Sequence, residues 1–539
     1  MARSLLFRKL VFALQAARRE NLAAQNLPPP LPESATDWTR RKFIKTTAAV
    51  GAAGLAGGCG ITFPSDAGAV PPAPSIAIIG AGIAGLNAAY QLKKAGYFAT
   101  VYEARSRIGG RMLSADMGNG LIVDLGAELI NTDHADMLEL VKELDIELFN
   151  RAEDVKGLPF PKEAYYFDGE SVSESELADD LRQIAAQMSA DATLLDQDWD
   201  TYAPQFDRLS VTDYLMLHAD KINKPYIFKL FRDVVHTEFG VEPHKSSSIQ
   251  LILVLPVIKG QSVELLSYSD EVYSVVGGSA QITDALGKKL TGQIQLGMEL
   301  TEITKNKSRF RLVFANQPPI EADIVIVAIP FPVLNRILLD VKLPTLLRRF
   351  INEAKLGSNE KVIGGFNNRF WRQLQGFTSA AWSDLGFSEV WDATQRQSSR
   401  LDGALNFFLG GDQARQLADT PNITALGKQF VSRLNHFIPG ASDAATGRFV
   451  HTGWTKSPLT TGGYANFKPG QLTQFGSLLW VESDMPNERQ QVHVGNLLFA
   501  GEHLSDAFYG FMNGGAQTGR LAANLVLEKV AVTTVGHRS

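Results

Sequence analysis

Three glycines near the start of the first apolar strand have the spacing of a dinucleotide-binding turn. Gly80, Gly82 and Gly85 follow the β-branched run Ile76–Ile79 and open a helical pattern. In such a unit the first glycine permits the tight turn, the second lets backbone approach a pyrophosphate, and the third lets helix and strand pack closely. The phosphate then lies at the positive end of the helix dipole. The pattern predicts a dinucleotide-binding βαβ unit.

A carboxylate follows at the distance that a bound ribose requires. Glu103 stands at the end of the second predicted strand, roughly 20 residues after the glycines, where it can accept hydrogen bonds from ribose hydroxyls. An acid at this position disfavours a 2′-phosphate. The glycine triplet alone also occurs in turns that bind nothing, so the longer run carries the prediction.

Residues 103–111 extend this unit into a second signature. They read Glu-Ala-Arg-Ser-Arg-Ile-Gly-Gly-Arg and include Arg105, Gly110 and Arg111. The run closely resembles the signature of the FAD-dependent amine oxidase family, which includes monoamine, polyamine and L-amino-acid oxidases. The resemblance implies that the cofactor is FAD and not NAD.

The same resemblance assigns cofactor contacts to three later segments. It implies that a turn passes beneath the flavin, that a strand backbone meets the adenine, and that a C-terminal motif holds the ribityl chain and the flavin. The residues are Gly126 and Ala127 in the turn, Leu300 in the strand, and Gly501, Glu502, Phe511 and Met512 in the motif. A purely structural hairpin remains an alternative at Leu300, and His503 is interpreted as structural.

The resemblance also implies an active site for amines. Lys361 falls where the family places a lysine that holds a water beside flavin N5, although a lysine that leads a strand is usually just a solvated end. Trp454 and Tyr464 resemble the aromatic-cage segment, with Tyr464 as one wall and Phe511 as the other. An aromatic face attracts an ammonium group. For Tyr464 the alternative is a buried tyrosine beside a glycine turn.

Cysteine usage restricts how the flavin is attached. Gly463 stands where monoamine oxidases carry the cysteine that bonds FAD, and Cys59 is the only cysteine in the chain. We therefore expect noncovalent FAD, no intramolecular disulfide and no metal site.

The substrate is less closely specified. Many L-amino-acid oxidases have an arginine shortly after the turn at residues 124–127, where it clamps the substrate carboxylate. Here Glu128 follows instead. If Glu128 faces the pocket, it favours a cationic substrate such as a polyamine-like amine or a basic amino acid. The alternative is that it caps or bonds flavin or backbone.

The resemblance implies an α/β fold in which a Rossmann-type FAD-binding domain is interleaved with an α+β substrate-binding domain. We predict that residues 75–130, 270–330 and 493–535 form the FAD-binding domain. Residues 131–269, which are rich in helical periodicity, and 331–492 form the substrate-binding domain. Short strands are expected at 295–303 and 322–330.

Residues 1–74 are interpreted as a leader, a twin-arginine signal and a Pro-rich linker. Arg40 and Arg41 precede a short Ala/Gly-rich run, which resembles a twin-arginine export signal. Cleavage is expected after Ala69, and an imperfect lipobox ending at Cys59 offers the alternative of lipidation and membrane association. The expected location is periplasmic or thylakoid-lumen-like, with the twin-arginine machinery as a partner.

Composition narrows the function further. The chain has 539 residues, 20% of them charged, and a net charge of −5, which gives no electrostatic reason to expect nucleic acid binding. The family chemistry is hydride removal from the carbon beside an unprotonated amine, which yields an imine and reduced flavin; O2 or another acceptor reoxidises the flavin. Two alternatives remain, a flavin desaturase of an apolar polyene or tetrapyrrole and a noncatalytic flavoprotein. Lys361, Tyr464 and Trp454 favour the amine, because a desaturase needs no amine cage.

Overall fold

A computed structural model describes residues 73–118 and 120–536. The predicted twin-arginine signal, the cleavage site after Ala69 and the lipidation candidate Cys59 lie outside the described residues.

The strands alternate with helices along most of the chain. In chain order they are β1 (Ile76–Ile79), β2 (Ala99–Glu103), β3 (Ser114–Asp116), β4 (Ile122–Asp124), β5 (Leu129–Ile130), β6 (Leu148–Asn150), β7 (Glu163–Phe167), β8 (Glu170–Val172), β9 (Val257–Lys259), β10 (Ser262–Glu264), β11 (Tyr273–Val275), β12 (Ile294–Leu296), β13 (Leu300–Asn306), β14 (Arg309–Phe314), β15 (Ile320–Ala322), β16 (Ile324–Val327), β17 (Leu338–Asp340), β18 (Lys355–Leu356), β19 (Asn359–Phe366), β20 (Ala380–Ser383), β21 (Glu389–Asp392), β22 (Gly403–Gly410), β23 (Ala445–His451), β24 (Ala465–Asn466), β25 (His493–Val494) and β26 (Leu497–Phe499).

The helices concentrate in the middle of the chain and at its end. They are α1 (Ile83–Lys94), α2 (Ala135–Glu143), α3 (Arg151–Val155), α4 (Glu174–Gln197), α5 (Trp199–Asp207), α6 (Val211–Leu217), α7 (Tyr226–Phe239), α8 (Ser248–Val254), α9 (Ala280–Lys289), α10 (Phe331–Leu334), α11 (Thr345–Glu353), α12 (Gly411–Asp419), α13 (Ile423–Phe437), α14 (Ala441–Ala444), α15 (Gln471–Phe475) and α16 (Met512–Gly536).

The predicted βαβ unit forms the centre of a six-stranded sheet. Its order is β12-β2-β1-β16-β26-β25, and β1 pairs in parallel with both β2 and β16. All four residues of β1 are buried, as expected for a strand covered on both faces. Helix α1 packs against β1 and β2 of this sheet and against the long helix α16. The predicted α/β Rossmann-type fold is confirmed.

A second, seven-stranded sheet has the order β23-β19-β22-β21-β20-β7-β8. Five of its strands come from residues 359–451, whereas β7 and β8 come from residues 163–172. The two chain segments assigned to the substrate-binding domain therefore meet in one sheet. Its strand β19 is buried along its whole length and carries Lys361.

The predicted domain boundaries stay a prediction, and two strand pairings cross them. Strand β17, assigned to the substrate-binding domain, pairs in parallel with β13. Strand β6, also assigned there, pairs with β11 of the FAD-binding segment. In both cases backbone hydrogen bonding to a neighbouring strand continues beyond the point where the sequence pattern changes.

The strand expected at 295–303 is two strands. β12 ends before Gly297, which has a φ of +72°, and β13 begins at Leu300. The amide of Met298 donates to the carbonyl of Glu103 at 2.8 Å, which joins this turn to the end of β2. Within residues 73–118 and 120–536, no helix has both the length and the apolar character needed to cross a membrane.

Candidate active site

One continuous cavity of about 850 Å³ runs from the glycine turn of the six-stranded sheet to the face of the seven-stranded sheet. Its wall includes Gly82 and Glu103 at one end and Lys361, Trp391 and Glu389 at the other. The volume lies in the range of small-molecule and cofactor sites. The cavity therefore joins the predicted cofactor residues to the predicted active-site residues.

The glycine turn leaves open space where a cofactor phosphate is expected. Gly80 has a φ of +101°, and a Cβ on Gly85 would lie 2.0 Å from the carbonyl oxygen of Gly80. Both positions therefore require glycine. A Cβ on Gly82, by contrast, would meet no atom within 4 Å. Gly82 caps the N-terminus of α1 and lines the cavity, so the space beside it is available to an anionic ligand.

Glu103 is buried at the end of β2 and holds the turn in place. Its carboxylate accepts hydrogen bonds from the amides of Ala81 at 2.8 Å and Arg105 at 2.9 Å. The Arg105 side chain reaches Ser457 at 3.2 Å. Glu103 and Arg105 both line the cavity, and so does Leu300 at the start of β13. The predicted ribose and adenine contacts therefore lie around one end of the cavity.

The second glycine signature meets the C-terminal motif through an ion pair. Arg111 Nη1 donates to Glu502 Oε1 at 2.8 Å and to the carbonyl of Gly463. Burial alone would raise the pKa of Glu502, but the charges of Arg111 and His503 and the hydrogen bonds from Arg111 and the Gly510 amide together outweigh it and hold that pKa below its usual range. A Cβ on Gly126 would lie 1.8 Å from the Arg111 carbonyl oxygen, so only glycine fits this turn.

Residues of the C-terminal motif and of the two earlier glycine turns line the same end of the cavity. Gly501, Ala127, Gly110, Phe511 and Met512 all line it, and Met512 begins the long helix α16. Both ring nitrogens of the buried His503 lack a hydrogen-bond partner among the described residues. Together with the open space beside Gly82, the carboxylates and the helix N-termini, this donor and acceptor set fits FAD.

Lys361 does not lie at a solvated strand end. Its ammonium donates to Glu128 Oε2 at 2.9 Å and to the carbonyl of Asp124 at 2.9 Å, and it lies 5.3 Å from the centre of the Trp391 ring. Both side chains of the Lys361–Glu128 pair are buried, with 7% and 6% exposure. An ammonium has three N–H donors, so one remains for a molecule in the cavity.

Glu128 lines the cavity, but its charge is already paired. Besides Lys361 it meets Arg396 at 3.9 Å and accepts from the Trp391 indole at 3.3 Å. Burial would raise the pKa of Glu128, but Lys361 and Arg396 outweigh it and lower that pKa. Two roles for Glu128 were weighed from the sequence: attracting a cationic substrate, or bonding flavin or backbone. Neither describes its contacts fully, because its charge is balanced by side-chain cations.

The loop that carries Trp454 is held by the residue before Lys361. Glu360 accepts from the amides of Trp454 at 3.1 Å and Thr455 at 2.7 Å. The Trp454 indole donates to the carbonyl of Leu125 at 3.0 Å. Strand β19 therefore carries Lys361 itself, and through the neighbouring Glu360 it also positions the loop that carries Trp454.

The predicted cage contains an additional ring. Tyr464 donates to the carbonyl of Thr237 and packs beside Trp391 and Phe408. Phe511 makes an edge contact with Tyr268 at 5.8 Å between ring centres. Tyr268 was not predicted from the sequence, because no motif surrounds it and it comes from the mainly helical segment.

Four carboxylates around the same cavity were also missed. These residues, here called the carboxylate cluster, are Glu163, Glu238, Glu271 and Glu389. Burial raises the pKa of Glu238 to about 7, with repulsion from Glu271 adding to the shift and a hydrogen bond from Tyr268 opposing it. Burial, followed by repulsion from the other three members, raises the pKa of Glu389 well above its usual range. No sequence signal groups them, because they come from four separate segments.

The comparisons with known proteins agree with this arrangement. Residues 83–527 match the family described as flavin containing amine oxidoreductase. The chain is 24% identical over 470 residues to a flavin-containing amine oxidase of Oncorhynchus mykiss, covering 84% of this chain and 85% of that protein. It is also 24% identical over 471 residues to an L-amino acid dehydrogenase of Synechocystis, covering 84% and 94% of the two chains.

Solved structures show the same fold. Putrescine oxidase bound to putrescine superimposes with a TM-score of 0.70 at 21% identity, covering 84% of this chain and 99% of that chain. Cyclohexylamine oxidase from Brevibacterium oxydans superimposes with a TM-score of 0.70 at 23% identity, covering 85% and 100%. The chain therefore belongs to the flavin containing amine oxidoreductase family, and its cofactor is FAD, bound noncovalently.

Proposed function

We propose that the protein oxidises the C–N bond of a cationic amine or L-amino acid to an imine, with O2 or another acceptor receiving the electrons. The observation that carries the substrate preference is the carboxylate cluster, which lines the same cavity as Lys361. Buried like charges that raise one another's pKa produce a negative potential, and a cation entering the cavity relieves it.

FAD, when bound, supplies the hydride acceptor. The chain's own residues bind and orient the amine. The rings of Tyr464, Phe511 and Tyr268 line the cavity and can flank an amine or attract an ammonium group. Lys361, fixed by Glu128 and the Asp124 carbonyl, keeps one N–H for a water or for the substrate.

The related proteins support an amine substrate without specifying it. One similar structure contains putrescine, another is a cyclohexylamine oxidase, and one curated relative is an L-amino acid dehydrogenase. These names cover a dication, a monocation and a zwitterion, and they differ in electron acceptor. The carboxylate cluster favours the cationic compounds for this chain.

The test is anaerobic reduction of the FAD-loaded protein, followed by the loss of absorbance near 450 nm. Putrescine, lysine and arginine are expected to bleach the flavin, with tyramine and phenylalanine slower. A flavin that stays oxidised with every amine would overturn the proposal. Admitting air or a dye to the reduced protein then distinguishes an oxidase from a dehydrogenase.

Export by the twin-arginine route is a separate proposal, and it depends on Arg40 and Arg41. Residues 1–74 fused to a fluorescent protein should deliver it, folded, across a membrane that has this machinery. Replacing both arginines with lysine should stop delivery. Equal export of both fusions would contradict the proposal.

A further inference from the structure

The seven-stranded sheet aligns Lys361 with a member of the carboxylate cluster. Lys361 lies opposite Phe408, Phe408 lies opposite Glu389, and Glu389 lies opposite Trp382 on successive strands. Directly opposed residues project from the same face of a sheet, and all four line the cavity. Since neighbouring strands are about 5 Å apart, Glu389 lies about 10 Å from Lys361 along this face.

A second register row leads to Glu163. Trp391 lies opposite Ala380, which lies opposite Glu163 on β7. The Trp391 ring is next to the Lys361 ammonium, so Glu163 lies two strands beyond the lysine end of the cavity. Both carboxylates therefore occupy the far part of the cavity, and aromatic rings lie between them and Lys361.

Glu389 has no partner of its own. Among residues 73–118 and 120–536, no side chain donates a hydrogen bond to its carboxylate and no cation lies within ion-pair distance. The other members of the cluster each have a contact: Tyr165 donates to Glu163 at 2.7 Å, Tyr268 donates to Glu238, and Arg151 approaches Glu271 at 3.7 Å. An ionised carboxylate without a partner is costly to bury, which agrees with the raised pKa of Glu389. A cation placed beside Glu389 would stabilise its ionised form.

A metal ion does not fit the part of the cavity beside Glu389. Within the described part of the chain, no group of three or more His, Cys, Asp or Glu side chains has the arrangement of a metal site. The walls beside Glu389 are the rings of Trp382 and Phe408, which suit methylene groups and organic ammonium groups.

The cations of the cavity do not provide a clamp for a substrate carboxylate. Lys361 is paired with Glu128, and Arg151 donates to Gln395 at 3.0 Å and to the Glu271 carbonyl at 3.0 Å. Lys162 is 68% exposed and lies 3.9 Å from Glu163. Each of these cations therefore already lies beside an acceptor of the described chain, and the carboxylate cluster disfavours the α-carboxylate of an amino acid at this end of the cavity.

We propose that Glu389, supported by Glu163, is a distal ammonium site that selects linear diamines or polyamines over monoamines and amino acids. This inference rests on the proposed function. One amino group reaches the Lys361 end, the methylene chain lies along Phe408 and Trp382, and the second ammonium pairs with Glu389. No covalent step occurs at the distal site.

The first test compares kcat/KM for diamines and monoamines of equal chain length. Diamines are expected to be better substrates by about 10-fold or more, since a hydrogen bond to a charged group strengthens binding more than one between neutral groups. Glu389→Gln should remove most of this preference, whereas Glu353→Gln, a surface change at a 40%-exposed carboxylate, should leave it intact. Equal kcat/KM values for diamines and monoamines in the wild type would overturn the inference. So would a preference for diamines that is undiminished in Glu389→Gln.

The second test measures binding without turnover. A bis-quaternary alkane, which cannot form an imine, should bind the FAD-loaded protein more tightly than its mono-quaternary counterpart by calorimetry, and Glu389→Gln should remove the difference. If no amine bleaches the flavin while this difference persists, the proposed function fails and the distal site stands. If amines bleach the flavin but the difference is absent, only the distal site fails. Should Glu389→Gln lose FAD or unfold, Glu163→Gln provides the same comparison.

Discussion

The two ends of the cavity are built in opposite ways. At the cofactor end, glycines and paired side chains leave space, and Arg111 and Glu502 neutralise each other at 2.8 Å. At the substrate end, carboxylates crowd the wall, and within the described chain no cation lies within ion-pair distance of Glu389, although the charge of Arg151 opposes the rise in the pKa of that carboxyl. The cofactor end is preorganised for a ligand that stays bound, whereas the substrate end remains electrostatically unsatisfied until a cation arrives. Lys361 and Glu128 lie at the junction between them.

Removing the charge at this junction should have the largest effect. Lys361→Met leaves the buried Glu128 facing only Arg396 at 3.9 Å, and breaking a buried ion pair costs about 3–5 kcal/mol. We expect a lower thermal midpoint and a rate of flavin reduction by amine that falls about 100-fold, a loss typical of a removed proton donor. Thermal unfolding and stopped-flow absorbance measure the two effects.

The double variant Lys361→Met with Glu128→Gln separates stability from chemistry. It removes the unpaired carboxylate, so the thermal midpoint should recover while the reduction rate stays low. Recovery of both would show that Lys361 has only a structural role. A rate unchanged in the single variant would contradict any part for Lys361 in the reaction.

A change at the cofactor end should act on FAD alone. Gly82→Ala adds a Cβ that meets no protein atom within 4 Å, so the apoprotein should keep its thermal midpoint. The methyl group enters the space where backbone must approach the pyrophosphate. A steric cost of about 1–3 kcal/mol predicts FAD binding weaker by about 10- to 100-fold, measured by fluorescence titration.

Gly476→Ala is the matched control, because its added Cβ also meets nothing within 4 Å and its φ of −55° suits alanine. It should bind FAD as the wild type does. If Gly82→Ala also bound FAD normally, the open space beside α1 would not be the phosphate site.

The cofactor end was predictable from sequence because its determinants are local. Gly80, Gly82, Gly85 and Glu103 belong to one β1-α1-β2 unit, and their spacing reflects one turn and one helix. The fold followed from that unit. At the substrate end, Lys361 was found through resemblance, but its partner Glu128, which also meets Arg396, is brought to it only by tertiary packing. Glu163 and Glu389 become neighbours because β7 enters a sheet formed mainly by residues 359–451, and no local pattern encodes that pairing.

The pH dependence should reveal the unsatisfied charge. Glu238, with a pKa of about 7 and with Tyr268 and Glu271 facing it, is neutral at pH 6 and ionised at pH 8. Affinity for a bis-quaternary alkane should therefore rise a few-fold between these values. Because the folded-state pKa lies above the unfolded value of about 4.3, the stability present at low pH is lost as pH rises through 7.

Glu238→Gln should flatten both profiles in calorimetry and thermal unfolding. Substrate oxidation is not needed for either measurement. A wild-type affinity that fell with rising pH would have the wrong sign for a carboxylate and would place the titrating group elsewhere.

The smallest expected effect concerns the indole that links the two ends. Trp391→Phe removes a 3.3 Å hydrogen bond to Glu128 and reduces the aromatic face beside Lys361, but it leaves the 2.9 Å ion pair in place. A hydrogen bond to a charged group contributes about 1.5–3 kcal/mol to stability, but this one reaches the amine only through Glu128 and Lys361, so we expect flavin reduction to slow by less than about 10-fold. Trp371→Phe is the matched control, because its buried indole nitrogen has no hydrogen-bond partner within the described chain. It should lower the thermal midpoint through lost packing without changing the rate. If Trp391→Phe slowed reduction as much as Lys361→Met, the indole would be as necessary as the lysine, and the prediction that the ion pair alone maintains the reaction would be wrong.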